Sequence, residues 1–320
     1  MDALIFDEIL KYVTDYNTPK MDSNEALIKI SMVGICNTDL EITKGYMGYK
    51  GILGHEFVGI VEEVENPKDK NLIGKRVVGE INLGCGNCNW CNQGLSRHCP
   101  NRSTLGILNK EGCFAQYLTL PVSNLLVVPD SIPDEVAVFT EPLAAALEIL
   151  EQLHIKPYEK VAVLGDGKLG LLIALALNAS NIDINLIGKH QNKLDIAKNQ
   201  GINTELLSDI KIEKKYDVVI EATGSVSGFE TSIALVKPRG VLVLKSTIAS
   251  EKDLNLAPVV IDEITILGSR CGQFAPALRL MEKNIINFSP LISKILPFKQ
   301  AIEGFELNRK KDTIKILLKL

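Results

Sequence analysis

The sequence lacks a surplus of positive charge, a long apolar run and any internal repeat, and each absence narrows what the chain can be. Its 35 lysines and arginines stand against 39 aspartates and glutamates, a formal net charge of -4 at pH 7. An electrostatic nucleic-acid or membrane-surface partner would need the opposite balance, so small solutes are the expected ligands. No segment reaches transmembrane length. Met1 to Leu10 alternates apolar and acidic residues, with neither the basic start nor the apolar stretch of a signal peptide. Low-complexity stretches are missing as well. What is there, 46% hydrophobic and 23% charged residues over 320 positions, excludes a disordered or fibrous chain and suits two packed domains.

Seven cysteines are present, four of them within fifteen positions. In a chain of this size such a cluster reads as metal ligands rather than the disulfides of a small secreted domain, and the expected compartment is the cytoplasm.

Up to about residue 130 the pattern is short β-like runs broken by Gly, Asn and Pro: Ala26 to Val33, Phe57 to Val64, Arg76 to Ile81, Phe114 to Leu120 and Leu125 to Val128. From Glu141 it becomes strand, helix, strand. Val161 to Leu164 leads into a helical Leu169 to Leu177, then Ile182 to Ile187, then a helical Asn192 to Asn199. Strand signals follow at Asp217 to Glu221, Val241 to Leu244 and Glu263 to Leu267, about six in all. This alternation predicts an α/β fold with a doubly wound parallel sheet beside a mainly β domain. The tail from Gln273 is too short for a domain of its own and is expected to pack back onto the N-terminal half.

Gly165-Asp166-Gly167-Lys168-Leu169-Gly170 is a GxGxxG run that follows an apolar strand and opens a helix. In that context Gly165 permits a tight turn, Gly167 lets backbone approach a pyrophosphate, and Gly170 lets helix and strand pack closely. The helix N-terminus then faces the phosphates. Cofactor choice is read where the second strand ends, at Gly188-Lys189-His190. Gly188 leaves room where an acid would repel a 2'-phosphate, and Lys189, His190 and Lys193 offer positive charge, so NADP is expected over NAD. The plainer reading is solvated surface cations after an ordinary turn.

Cys85, Cys88, Cys91 and Cys99 follow C-x2-C-x2-C-x7-C in a loop, 84–100, rich in Gly and Asn. Four thiolates there suit a closed tetrahedral zinc, which leaves no position for substrate and is therefore structural. A second set is dispersed: Cys36 in Gly34-Ile35-Cys36-Asn37-Thr38-Asp39, then Gly54-His55-Glu56, then Thr140-Glu141-Pro142. Taken singly, these are a core cysteine, a turn histidine and a helix-start acid.

Taken together and in this order, with the cysteine lobe lying between Gly-His-Glu and GxGxxG, the motifs resemble the zinc-containing medium-chain dehydrogenases along nearly the whole chain. The resemblance implies a Rossmann domain over 143–272 and a GroES-like catalytic domain over 1–142 and 273–320. It implies two zincs per chain, and a nicotinamide cofactor that takes hydride from an alcohol. Cys36, His55 and Glu141 would ligate the catalytic zinc, with Glu56 able to approach it. Asp39 would orient the imidazole, and Thr38 would bind the substrate hydroxyl. Glu141 replaces a cysteine of alcohol dehydrogenases and is a feature of polyol and glucose dehydrogenases, so a polyol or sugar substrate is expected. A homodimer or homotetramer is implied too. Two departures stand out: Glu65 occupies the place of a common glycine, and Glu41 that of a relay histidine. The alternatives are a zinc-free quinone or enoyl reductase and a non-catalytic NADPH-binding protein. Tyr46 and Tyr49 are pocket candidates, while Cys113 and Cys271 read as small core residues.

Overall fold

Aliphatic and β-branched residues make Glu25–Gly34 and Glu56–Val64 strands, and the two pair antiparallel within a seven-stranded sheet. In the computed structural model, which describes residues 1–247 and 254–320, this sheet belongs to a unit made of Met1–Glu141, Phe274–Lys283 and Ile292–Leu320. Arg76–Gly79, Tyr117–Pro121 and Leu125–Val127 extend it, as do Ile292–Pro297 and Lys315–Lys319 from the far end of the chain. Lys315–Lys319 lies antiparallel to Glu25–Gly34, with Leu317 opposite Gly34.

The N-terminal residues contribute a hairpin, Ala3–Asp7 with Ile9–Val13, that turns at Glu8 with φ 63°. The Glu65 N–H donates to the Glu25 carbonyl, and the Glu65 carboxylate accepts from the Asn24 N–H. Asn66 then caps a short 3-10 turn, Pro67–Leu72, by accepting from the Lys68 N–H. The turn is thus built from caps instead of a glycine.

The second unit comprises Pro142–Gln273 and Asn284–Leu291. Among the described residues its sheet has six strands, all parallel, in the order Asn203–Leu206, Ile184–Gly188, Val161–Leu164, Tyr216–Glu221, Val236–Leu244, Thr265–Gly268. Numbered along the chain, that is 3-2-1-4-5-6, the doubly wound dinucleotide-binding order. The core beneath it includes Ala162, Leu164, Ile187, Val219, Phe229 and Leu242. Lys168–Ala179 is buried continuously from Gly170 to Leu177, which is why its sequence is apolar on every side. Asn203–Leu206 was not legible as a strand, because an edge position lets it be polar. Asn284–Leu291 groups with this unit rather than with the rest of the tail. Gln200 explains why: its side-chain amide donates to the Asn287 carbonyl and accepts from the Asn287 N–H.

Candidate metal and cofactor sites

Cys36 caps the N-terminus of the short helix Asn37–Ile42, and Asp39 in its first turn reaches back to accept from the Cys36 N–H at 2.8 Å. This fold-back aims the second Asp39 oxygen at His55 Nδ1, 3.3 Å away. Asp39 is fully buried and His55 nearly so. Burial opposes a charge on His55, but the Asp39 carboxylate and then the Cys36 thiolate outweigh it and hold the imidazole well above its ordinary pKa. Donor atoms of Cys36, His55 and Glu56 lie within 4.8 Å of one another. Such a mixed sulfur, nitrogen and oxygen set suits zinc. Thr38 Oγ1 is 3.7 Å from Cys36 Sγ.

Glu56 is buried; among the described residues one of its carboxylate oxygens has no partner, while the other accepts from Lys315 Nζ at 2.5 Å. The carboxylate occupies the space left by Gly34, where a Cβ would come within 2.5 Å of Glu56 Oε2. Burial opposes the charge of Lys315, but Glu56, then Cys36 and also Glu141, hold it above the ordinary lysine value. Lys315 has no place among the candidates drawn from the sequence; its one local sign is a lysine opening an otherwise apolar run, Ile316 to Leu318. Glu141, half-buried at the start of the helix Thr140–Gln152, stands outside the cluster of three. Glu41 is half-exposed and paired with Lys44 at 2.9 Å. Tyr49 does not offer its hydroxyl to a ligand: it donates to the carbonyls of Ile52 and Lys110. Cys113 is a buried thiol raised by burial, and then by Asp39 and Glu56.

In the lobe, Cys88 opens the short helix Asn89–Asn92 that carries Cys91, and the 3-10 turn Ser96–His98 delivers Cys99. Cys88 Sγ is 3.5 Å from Cys91 Sγ and 3.7 Å from Cys99 Sγ, and all four sulfurs lie within 4.8 Å of one another. A disulfide needs about 2.05 Å, whereas four sulfurs about 2.3 Å from a central zinc stand roughly 3.8 Å apart. The Asn87 N–H pulls the Cys85 thiol down to about 6, while burial and then Cys88 push Cys91 up to about 11. Four sulfurs this close ionise together only around a cation. The residues therefore fit a zinc at both places.

The glycine loop fits a dinucleotide. Gly165 has φ 122°, and a Cβ on Gly170 would meet the Gly165 carbonyl oxygen at 1.9 Å. A Cβ on Gly167 would meet nothing within 4 Å among the described residues, which leaves room for a phosphate ahead of the helix Lys168–Ala179. The end of the second strand differs from expectation. The room beside Gly188 is filled by Asp166, whose Oδ2 accepts from the main-chain N–H groups of Lys189 at 2.7 Å and His190 at 2.6 Å. His190 Nδ1 also contacts it, at 3.0 Å. The premise that no acid stands there is corrected: the acid comes from the loop, not the strand. Lys193 is buried rather than surface-exposed.

Residues 22–130 match the family described as the alcohol dehydrogenase GroES-like domain, and residues 168–283 the family described as zinc-binding dehydrogenase. The chain is 26% identical to an L-threonine 3-dehydrogenase of Proteus mirabilis, covering 96% of this chain and 95% of the relative. It is 27% identical to a D-arabitol-phosphate dehydrogenase of Enterococcus avium, covering 95% and 92%. A crystal structure of an Escherichia coli CFT073 alcohol dehydrogenase complexed with NADH matches its fold with a TM-score of 0.92 at 23% identity, over 100% of this chain and 99% of that one.

Proposed function

Because the chain belongs to the zinc-containing medium-chain dehydrogenases, we propose that it interconverts an alcohol, a polyol or sugar hydroxyl, and its carbonyl with a nicotinamide dinucleotide as hydride partner. The observation that carries this is the triplet of half-buried Cys36 with buried His55 and Glu56, one Glu56 oxygen having no partner among the described residues. Cys36 and His55 would hold the catalytic zinc, with Glu56 or Glu141 supplying a carboxylate. The chemistry a zinc ion would supply there is that of a Lewis acid, lowering the pKa of a substrate hydroxyl. Asp39 keeps the His55 ring oriented toward that position. Thr38 accepts the substrate hydroxyl proton and passes it outward, since a lone hydroxyl is too weak a base to keep it. Glu41, half-exposed, is the acceptor on the solvent side. The O–H proton leaves by this route, and a nicotinamide dinucleotide, when bound, would take the C–H hydrogen with its electron pair and leave the carbon as a carbonyl.

A carboxylate in place of a second thiolate gives a harder ligand set, suited to neighbouring hydroxyls, and the Enterococcus avium relative is named for a polyol phosphate. Cys85, Cys88, Cys91 and Cys99 would hold a second, structural zinc. A homo-oligomer in a reducing, cytoplasmic setting completes the proposal; among the described residues, no helix is long and apolar enough to cross a membrane.

The test is initial rates against polyols, aldoses and simple alcohols, on protein of measured metal content. Two zincs per chain with turnover confined to polyols or sugars is the expected result. Two zincs and cofactor binding without turnover of any of them would instead favour a binding role.

A further inference from the structure

Asp166 and the end of the strand Ile184–Gly188 share one small space. An NAD-using doubly wound domain places an acid at the end of its second strand, on the adenosine ribose hydroxyls. Here that strand ends in Gly188, which has no side chain. A Cβ built on Gly188 would fall 2.5 Å from Asp166 Cβ and 2.6 Å from Asp166 Oδ2. The Asp166 carboxylate therefore lies where the side chain of a residue at 188 would run.

The carboxylate is also fixed. Asp166 is 7% exposed, and its Oδ2 accepts from the main-chain N–H groups of Lys189 and His190 and contacts His190 Nδ1. Its Oδ1 has a longer contact, 3.2 Å, with the same ring nitrogen. The main-chain donors at this turn are thus already engaged by an anion of this chain. A ribose diol, in contrast, brings its own O–H donors to a carboxylate, and a charge-assisted hydrogen bond of that kind is among the stronger ones. A 2'-phosphate brings negative charge and acceptor oxygens to the same place, where partial burial strengthens repulsion. Lys189 is exposed, so its attraction for the phosphate is screened by solvent more than this repulsion is.

We propose that Asp166, reaching from the glycine loop into the space left by Gly188, is the ribose-facing acid and makes the chain select NAD over NADP. The inference rests on the dinucleotide-binding role of the glycine loop proposed above.

Its test is equilibrium binding of NADH and NADPH, followed by nicotinamide fluorescence, on the zinc-loaded wild type and on Asp166→Asn. The asparagine oxygen can still accept from the Lys189 and His190 N–H groups but carries no charge. Wild type is expected to bind NADH more tightly than NADPH by about tenfold or more. Asp166→Asn is expected to shrink that ratio by about tenfold, through weaker NADH and stronger NADPH binding. Tighter NADPH binding by the wild type overturns the proposal without needing any variant. An unchanged ratio in Asp166→Asn, with both affinities falling together, also overturns it and leaves Asp166 as a turn-holding residue. Binding of neither dinucleotide by zinc-loaded wild type would overturn the cofactor reading itself.

Discussion

Lys315 and Glu56 form a buried ion pair between the last and an early strand of one sheet, both nearly inaccessible to solvent. Removing one partner of such a pair leaves an uncompensated charge in a medium that solvates it poorly, at a cost of about 3–5 kcal/mol. Lys315→Met is therefore expected to lower the urea midpoint strongly. Adding Glu56→Gln to it should restore part of the loss, because the second change removes the orphaned charge. A double-mutant cycle in urea measures both, and additive effects would show that the two side chains do not act as a pair. The same scale shows where sequence reading stops. Cys36, His55 and the lobe cysteines are visible because their spacing is local or their motifs are distinctive. Lys315 is not, since nothing in a lysine at the start of an apolar strand indicates that its partner lies 259 positions away. Asp166 escaped for a similar reason: it occupies a variable position of GxGxxG, and its meaning depends on a glycine across the strand.

At the scale of elements, the lobe and the strand Glu25–Gly34 invite different measurements. The lobe has little apolar packing of its own, with Cys85 and Trp90 exposed, so its order should depend on metal. A chelator that strips the four-cysteine site is expected to expose four additional thiols to a colorimetric reagent. Hydrogen-exchange protection should be lost around residues 84–100, while the parallel sheet of the second unit stays protected. Glu25 ties its strand to the short strand Asn109–Lys110 through a 2.6 Å contact with Lys110 Nζ. Burial would raise the Glu25 carboxyl, but Lys110 and the Asp22 N–H outweigh it and hold it below the ordinary 4.5. A depressed acid stabilises the fold above its unfolded value and ceases to do so as pH falls through the folded one. Glu25→Gln should thus cost about 1–3 kcal/mol at neutral pH. In parallel urea titrations the gap to wild type should stay constant down to about pH 5 and close below it; a gap that persists in acid would remove the ion pair as its cause. Elements were legible where hydrophobic pattern decides them, as in Val161–Leu164 or Lys168–Ala179. They were not where pairing decides: Asn203–Leu206 becomes a strand only because Ile184–Gly188 offers it a free edge.

For the whole molecule, the sequence switches from irregular β runs to strand-helix alternation near Glu141, and the structure divides between Glu141 and Pro142. The path of the tail was harder to read, since Asn284–Leu291 answers to Gln200 and its neighbours answer to the first unit. That interleaving has a consequence for a chain made from one end. The ribosome releases Glu56 early, yet its counter-ion arrives 259 residues later, roughly 10–50 s at ordinary rates of synthesis. Throughout that interval the strand Lys315–Lys319, which closes the sheet against Glu25–Gly34, does not exist. The second unit, whose sheet is complete by Gly268, can fold while the first is still waiting. The donor cluster of Cys36, His55 and Glu56 is therefore among the last features of the newborn protein to reach its final form, although its ligands are among the first residues translated.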